Sequence, residues 1–145
     1  MTIPRIAALI SVAWATVQPL DAASDDGQVA ARNVASDLAG AFSNDGFKLR
    51  DGAWVGELVP HKSRLIQVNL YAGNQYWFSL GATPEAKKLV VSVFDEAGKP
   101  LPSEPFSDNA RAAAGFAPEV SGPYYIRIEE TEGAPASFCL MYSYK

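Results

Sequence analysis

The side chains able to do chemistry are few. Among 145 residues there is one Cys, Cys139, and one His, His61. A zinc centre draws on several His or Cys ligands, so this chain is all but excluded from zinc chemistry. A Ser-His-Asp hydrolase would have to use His61. That residue stands in the turn-like run Pro60-His61-Lys62-Ser63 with Arg64 beside it, a setting for a solvated imidazole. No Gly-x-Ser-x-Gly nucleophile elbow occurs. Cys139 lies within a strand-like run with no acid or base next to it, so it lacks the activating neighbour of a thiol nucleophile. Burial is the expectation for it, and pairing between chains the alternative. No Gly-rich phosphate cradle or dinucleotide fingerprint occurs.

Carboxylates form four groups: Asp25-Asp26, Asp95-Glu96, Glu104 with Asp108, and Glu129-Glu130 with Glu132. Solvated loop acids are the default reading. Calcium takes several oxygens at loop spacing, and Asp95, Glu96 and Asp108-Asn109 could supply them if their loops share one end of the fold. A glycosidase needs two acids set across a cleft, which a small domain without long loops does not offer. The chemistry that remains is recognition. Tyr71, Trp77, Phe94 and Tyr125, with Met141, fall opposite the core-facing positions of their strands. Such a row can stack on sugars or fill a protein interface. The competing reading is that a helix covers it.

These residues must be held by a folded scaffold. A hydrophobic share of 48% with 19% charged residues is that of a globular chain. A net charge of −4 provides no basic field for nucleic acid and no polybasic hold on an anionic membrane. Residues 1–23 read as a bacterial-type export signal: Arg5, then an apolar stretch from Ile6 to Leu20, then small residues at Ala22, Ala23 and Ser24. No stable membrane insertion is expected once it is removed, and the mature chain belongs in the periplasm or outside the cell. Residues 24–145 read as one domain.

Its first element is a helix over about 27–44, with Asp25 as the cap and Gln28 completing it. Val34, Leu38 and Phe42 recur every fourth residue beside Ala31, Ala35 and Ala39, which makes one apolar stripe. Gly46 suits the left-handed residue after a helix end. From Gly52 onward the period becomes two, cut by turn residues at intervals of about ten. Strands are expected over 53–59, 64–71, 76–80, 88–95, 110–117, 124–129 and 137–144, with 100–105 an edge strand or loop because of its three prolines. The turns 60–62, 72–74 and 96–99 are expected to close hairpins. The fold class is therefore mainly β: an antiparallel jelly-roll or Ig-like sandwich with one N-terminal amphipathic helix.

Four segments also resemble bacterial pre-peptidase C-terminal (PPC-like) domains. Leu70-Tyr-Ala-Gly73-Asn-Gln-Tyr76-Trp-Phe78 is similar to that family's L-x-A-G-x-x-Y-x-F stretch. Leu89-Val-Val91-Ser-Val93-Phe-Asp95-Glu-Ala-Gly98 is similar to its L-x-L-x-V-Y-D-x-x-G strand and turn. Phe116-Ala-Pro118 with Gly122-Pro-Tyr124-Tyr-Ile126, and the closing Phe138-Cys-Leu140, complete the series in the family's order. The resemblance implies an exported, non-catalytic β-sandwich of the kind appended to secreted enzymes, some of which bind polymers or calcium. Lys87-Lys88 stands where relatives carry an acid, which counts against family-type calcium binding. The expected function is a non-enzymatic module that binds a protein or polysaccharide without a cofactor. The alternatives are an accessory subunit that associates with a secreted enzyme or with itself, and a calcium-binding module.

Overall fold

A computed structural model describes residues 21–145; the export-signal reading of residues 1–20 lies outside them. One helix, α1 (Asp21–Ser43), precedes ten strands. These are β1 (Lys48–Leu49), β2 (Trp54–Leu58), β3 (Arg64–Leu70), β4 (Tyr76–Ala82) and β5 (Leu89–Phe94), followed by β6 (Pro100–Leu101), β7 (Glu104–Asp108), β8 (Arg111–Phe116), β9 (Gly122–Glu130) and β10 (Ala136–Tyr144). They form two antiparallel sheets. The six-stranded sheet runs β1-β10-β4-β8-β7, with β2 pairing β10 alongside β1; the four-stranded sheet runs β3-β9-β5-β6. The mainly β fold with a single helix is the one the alternation predicts.

The period-two pattern sets the core. Phe78, Leu80, Phe138 and Leu140 from the larger sheet pack against Val68, Leu70, Leu89, Val93, Ile126 and Ile128 from the smaller, all buried. Tyrosines close the rims with their polar ends turned to the backbone. The Tyr124 hydroxyl donates to Val120 O, while the Tyr76 hydroxyl accepts from Tyr71 N at 2.9 Å.

Three local expectations change. The helix begins at Asp21, so Asp25 is a helical residue and not its cap. The turns at 60–62 and 72–74 are not hairpin tips. β2 belongs to the larger sheet, β3 to the smaller and β4 to the larger, so each turn carries the chain across the sandwich. The turn at 96–99 is a true hairpin between β5 and β6. There Gly98 adopts φ +80°, and the Asp95 carboxylate accepts the amides of Ala97 and Lys99 at 3.0 and 2.8 Å. Finally, β1 and the split of 100–108 into β6 and β7 were not separate in the pattern, because strands of two residues carry no period.

The helix packs on the outer face of the larger sheet, over β4 and β10. Its stripe lies as the spacing requires: Ala31, Ala35, Leu38 and Ala39 are buried. Close approach depends on Gly81 of β4. A Cβ there would run into Ala35 N and lie 2.7 Å from Ala31 O, so the two backbones touch where neither has a side chain larger than a methyl. Further along, Phe42 stacks on Trp77 at 4.2 Å between ring centroids and 7° between planes. Trp77 in turn covers Gly115 of β8, its partner across the ladder, where a Cβ would fall 2.9 Å from the indole.

Overpacking this seam should be costly. Gly81→Val is expected to destabilise the protein by about 3 kcal/mol, at the upper end for an overpacked site, because the obstruction is backbone and cannot swing aside. Urea unfolding checks this. An unchanged midpoint would show that α1 does not sit on Gly81.

Candidate functional site

With one outer face clad by α1, the remaining broad surface is the outer face of the four-stranded sheet. Register places one residue of each strand in a row across it: Gln67 on β3, Tyr125 on β9, Phe94 on β5 and Pro100 on β6. Neighbouring strands lie about 4.8 Å apart, so Tyr125 and Phe94 make a continuous aromatic strip. Both are half-buried, while Gln67 and Pro100 at its ends are exposed. The next row holds Leu65, Arg127 and Ser92. Leu65 is 63% exposed. The guanidinium of Arg127 pairs with Glu129 at 3.1 Å.

The β5–β6 turn rises beside this strip. Together they enclose a groove of about 460 Å³, in which Phe94, Tyr125 and Leu65 supply apolar surface and Ser63, Glu96 and Arg127 supply polar groups. The same turn walls a second hollow of about 580 Å³ at the end of the sandwich, lined by Leu101, Phe116, Val120 and Tyr124. Asp95 and Glu96 border both, so the two hollows flank the same turn. Asp95 is committed to its own turn amides, which leaves Glu96 as the acid free to meet a ligand.

No protein-family model and no curated protein sequence matches this chain.

The five residues expected to form one outward row occupy three places. Trp77 and Met141 belong to the larger sheet and lie under α1: Trp77 is stacked by Phe42, and Met141 is buried with Ala31, Ala35 and Cys139. They are seam residues and not a ligand surface. Tyr71 follows β3 and is 65% exposed, away from the strip. Phe94 and Tyr125 alone come together. Identical alternation in all five strands made them look equivalent; which sheet each strand joins is decided by long-range pairing. Leu65, Gln67 and Arg127 were missed for the same reason, and Glu96 was weighed only as a calcium ligand. The available signal was that Leu65 and Gln67 share the outward parity of β3.

The carboxylates do not gather as calcium would require. Asp95-Glu96 lie beside Phe116 at one end of the sandwich. Asp108-Asn109 lie at the other, where Asn109 neighbours Lys87 and Asp108 pairs with Arg111 at 2.8 Å. Among the described residues no group of three or more His, Cys, Asp or Glu side chains comes together. No helix among them is long and apolar enough to cross a membrane. His61 sits in the β2–β3 turn with φ 63°. Cys139 is free and fully buried beneath α1, which removes the route to pairing between folded chains. Burial pushes its thiol pKa up, against a smaller opposing pull from Arg32.

Cys139 therefore reports on the helix seam. In the native protein it should react with an aromatic disulfide reagent at least about a hundredfold more slowly than in denaturant, since both access and thiolate are suppressed. Immediate reaction of the native protein would mean that α1 lifts from the sheet.

Proposed function

We propose that this chain is an exported, non-catalytic β-sandwich module that binds a polysaccharide through the outer face of its four-stranded sheet, without a metal or cofactor. The observation that carries the reading is the Phe94–Tyr125 strip, left uncovered by the helix and bordered by the hollows that flank the Asp95–Glu96 turn. Sugar rings offer C–H faces that stack on aromatic rings, and hydroxyls that need donors and acceptors at the edge. Gln67, Arg127 and Glu96 supply both kinds of group around the strip. An open strip with a hollow on each side of the adjoining turn suits a polymer better than a compact metabolite. Export rests on residues 1–23, and the likeness to PPC-like domains points the same way.

A second reading is an accessory subunit that docks on a secreted enzyme. It draws on Leu65 and Val90, two exposed apolar residues of the same sheet. Both readings use one face, and they differ in the partner.

Pull-down on insoluble polysaccharides (cellulose, chitin, peptidoglycan sacculi) tests the first reading. The wild type should be retained on at least one of them. Phe94→Ala with Tyr125→Ala should weaken retention tenfold or more, consistent with about 1–3 kcal/mol per lost stacking side chain, while thermal stability and Tyr71→Ala binding stay near wild type. Wild-type protein retained on none, or a double variant bound as tightly as wild type, would reject the polysaccharide. Capture of a protein that depends on Leu65 would favour the accessory role.

A further inference from the structure

Glu130 was expected among solvated loop acids, yet it is fully buried. It ends β9 on the inward parity of Tyr124, Ile126 and Ile128, so its carboxyl enters the end of the core. Neither Oε1 nor Oε2 has a hydrogen-bond partner. An ionised carboxylate held without donors costs several kcal/mol, so a group in this position keeps its proton instead. Burial, reinforced by the nearby Glu85 carboxylate, raises its pKa above the usual glutamate value.

Three connections close around this carboxyl. From the β2–β3 turn, His61 N donates to Glu130 O at 2.8 Å. From the β4–β5 connection, Lys87 N donates to Glu132 O at 3.1 Å, and Lys88 O accepts from Thr131 N at 2.8 Å. From the β9–β10 connection, Ala134 N donates to Glu85 O at 3.1 Å. Gly133, at φ +115°, lies directly against the carboxyl. A Cβ there would fall 2.5 Å from Glu130 Oε1 and against Glu85 O, so both oxygens border the same glycine. A neutral carboxylic acid can donate to a neighbouring carbonyl, which a carboxylate cannot. The other charged groups on these connections are His61, Lys62, Lys87 and Lys88, with Glu85 and Glu132. Lys88 is engaged with Glu132 at 2.8 Å and so is not the partner of Glu130.

We propose that Glu130 is a proton-operated latch: with its proton it holds the β2–β3, β4–β5 and β9–β10 connections shut over one end of the sandwich, and release of the proton loosens them together. The sign follows from a folded-state pKa above the unfolded one. The latch's stabilisation is complete below the unfolded pKa and is lost as pH rises through the folded one. An exported protein meets such changes of external pH directly. Phe94 and Tyr125 lie toward the opposite ends of β5 and β9, while Ser63 of the groove belongs to the β2–β3 connection that the latch holds.

Native-state hydrogen exchange of the full folded protein, corrected for intrinsic rates, tests this at the amides of His61, Lys87, Thr131 and Ala134. In the wild type their protection should fall by up to about tenfold for each pH unit between the unfolded and the folded pKa of Glu130, and level off above the folded one. In Glu130→Gln, which keeps a neutral group of the same shape, protection should stay level. Carboxyl-carbon NMR of the wild type should place Glu130 titration above the ordinary glutamate range, which decides the matter even if the variant does not fold. Parallel exchange profiles, or titration of Glu130 at or below that range, would overturn the latch. So would wild-type protection that rises with calcium and falls with chelator, which would make the oxygens a cation site.

Discussion

The contact between the α1 backbone and Gly81 is the constraint on which the molecule's surface depends. A helix can lie this close to a sheet only where a strand residue has no Cβ and the helix presents alanines, as Ala31 and Ala35 do. Once seated, α1 buries Met141 and Cys139 and partly covers Trp77 in one step. The module thus has a clad face and a bare face. The clad face is committed to the fold, and the aromatic strip on β5 and β9 lies on the bare one.

Charge contributes little to this arrangement. The Lys88–Glu132 and Arg111–Asp108 pairs are solvent-exposed, where ion pairs are worth at most about 1 kcal/mol. Stability rests on the apolar interior and the helix seam. The core is bounded by Tyr76 and Tyr124, whose hydroxyls find partners, whereas the buried carboxyl of Glu130 finds none. A buried acid in such an interior is tolerable as a neutral group, and its position at the sandwich end confines the consequences to three connections.

Much of the fold was legible in the sequence. Alternation placed seven strand regions, the Val34-Leu38-Phe42 spacing placed the helix stripe, and Gly46 and Asp95 identified their local turns by chemistry that acts within a few residues. What was hidden depends on distance along the chain. Pro60-His61-Lys62 reads the same whether β2 and β3 pair with each other or cross between sheets. Trp77 and Tyr125 occupy equivalent places in their strands, yet one lies under a helix and the other faces outward, because β4 pairs with β10 while β9 pairs with β3 and β5. Glu130 could have been suspected. It continues the inward series Tyr124, Ile126, Ile128, but a neighbouring Glu129 and Glu132 made the run look like a solvated end.

The placement of β10 carries a mechanical meaning. The last strand is internal to its sheet, zipped to β4 along seven residue pairs on one side and to β2 and β1 on the other. A pull on Lys145 runs along the axis of β10. It loads the ladders on both flanks in shear, so many hydrogen bonds must yield at once, where a peripheral strand would peel away one bond at a time. Tension arriving through Lys145 meets ladders loaded in shear along their whole length.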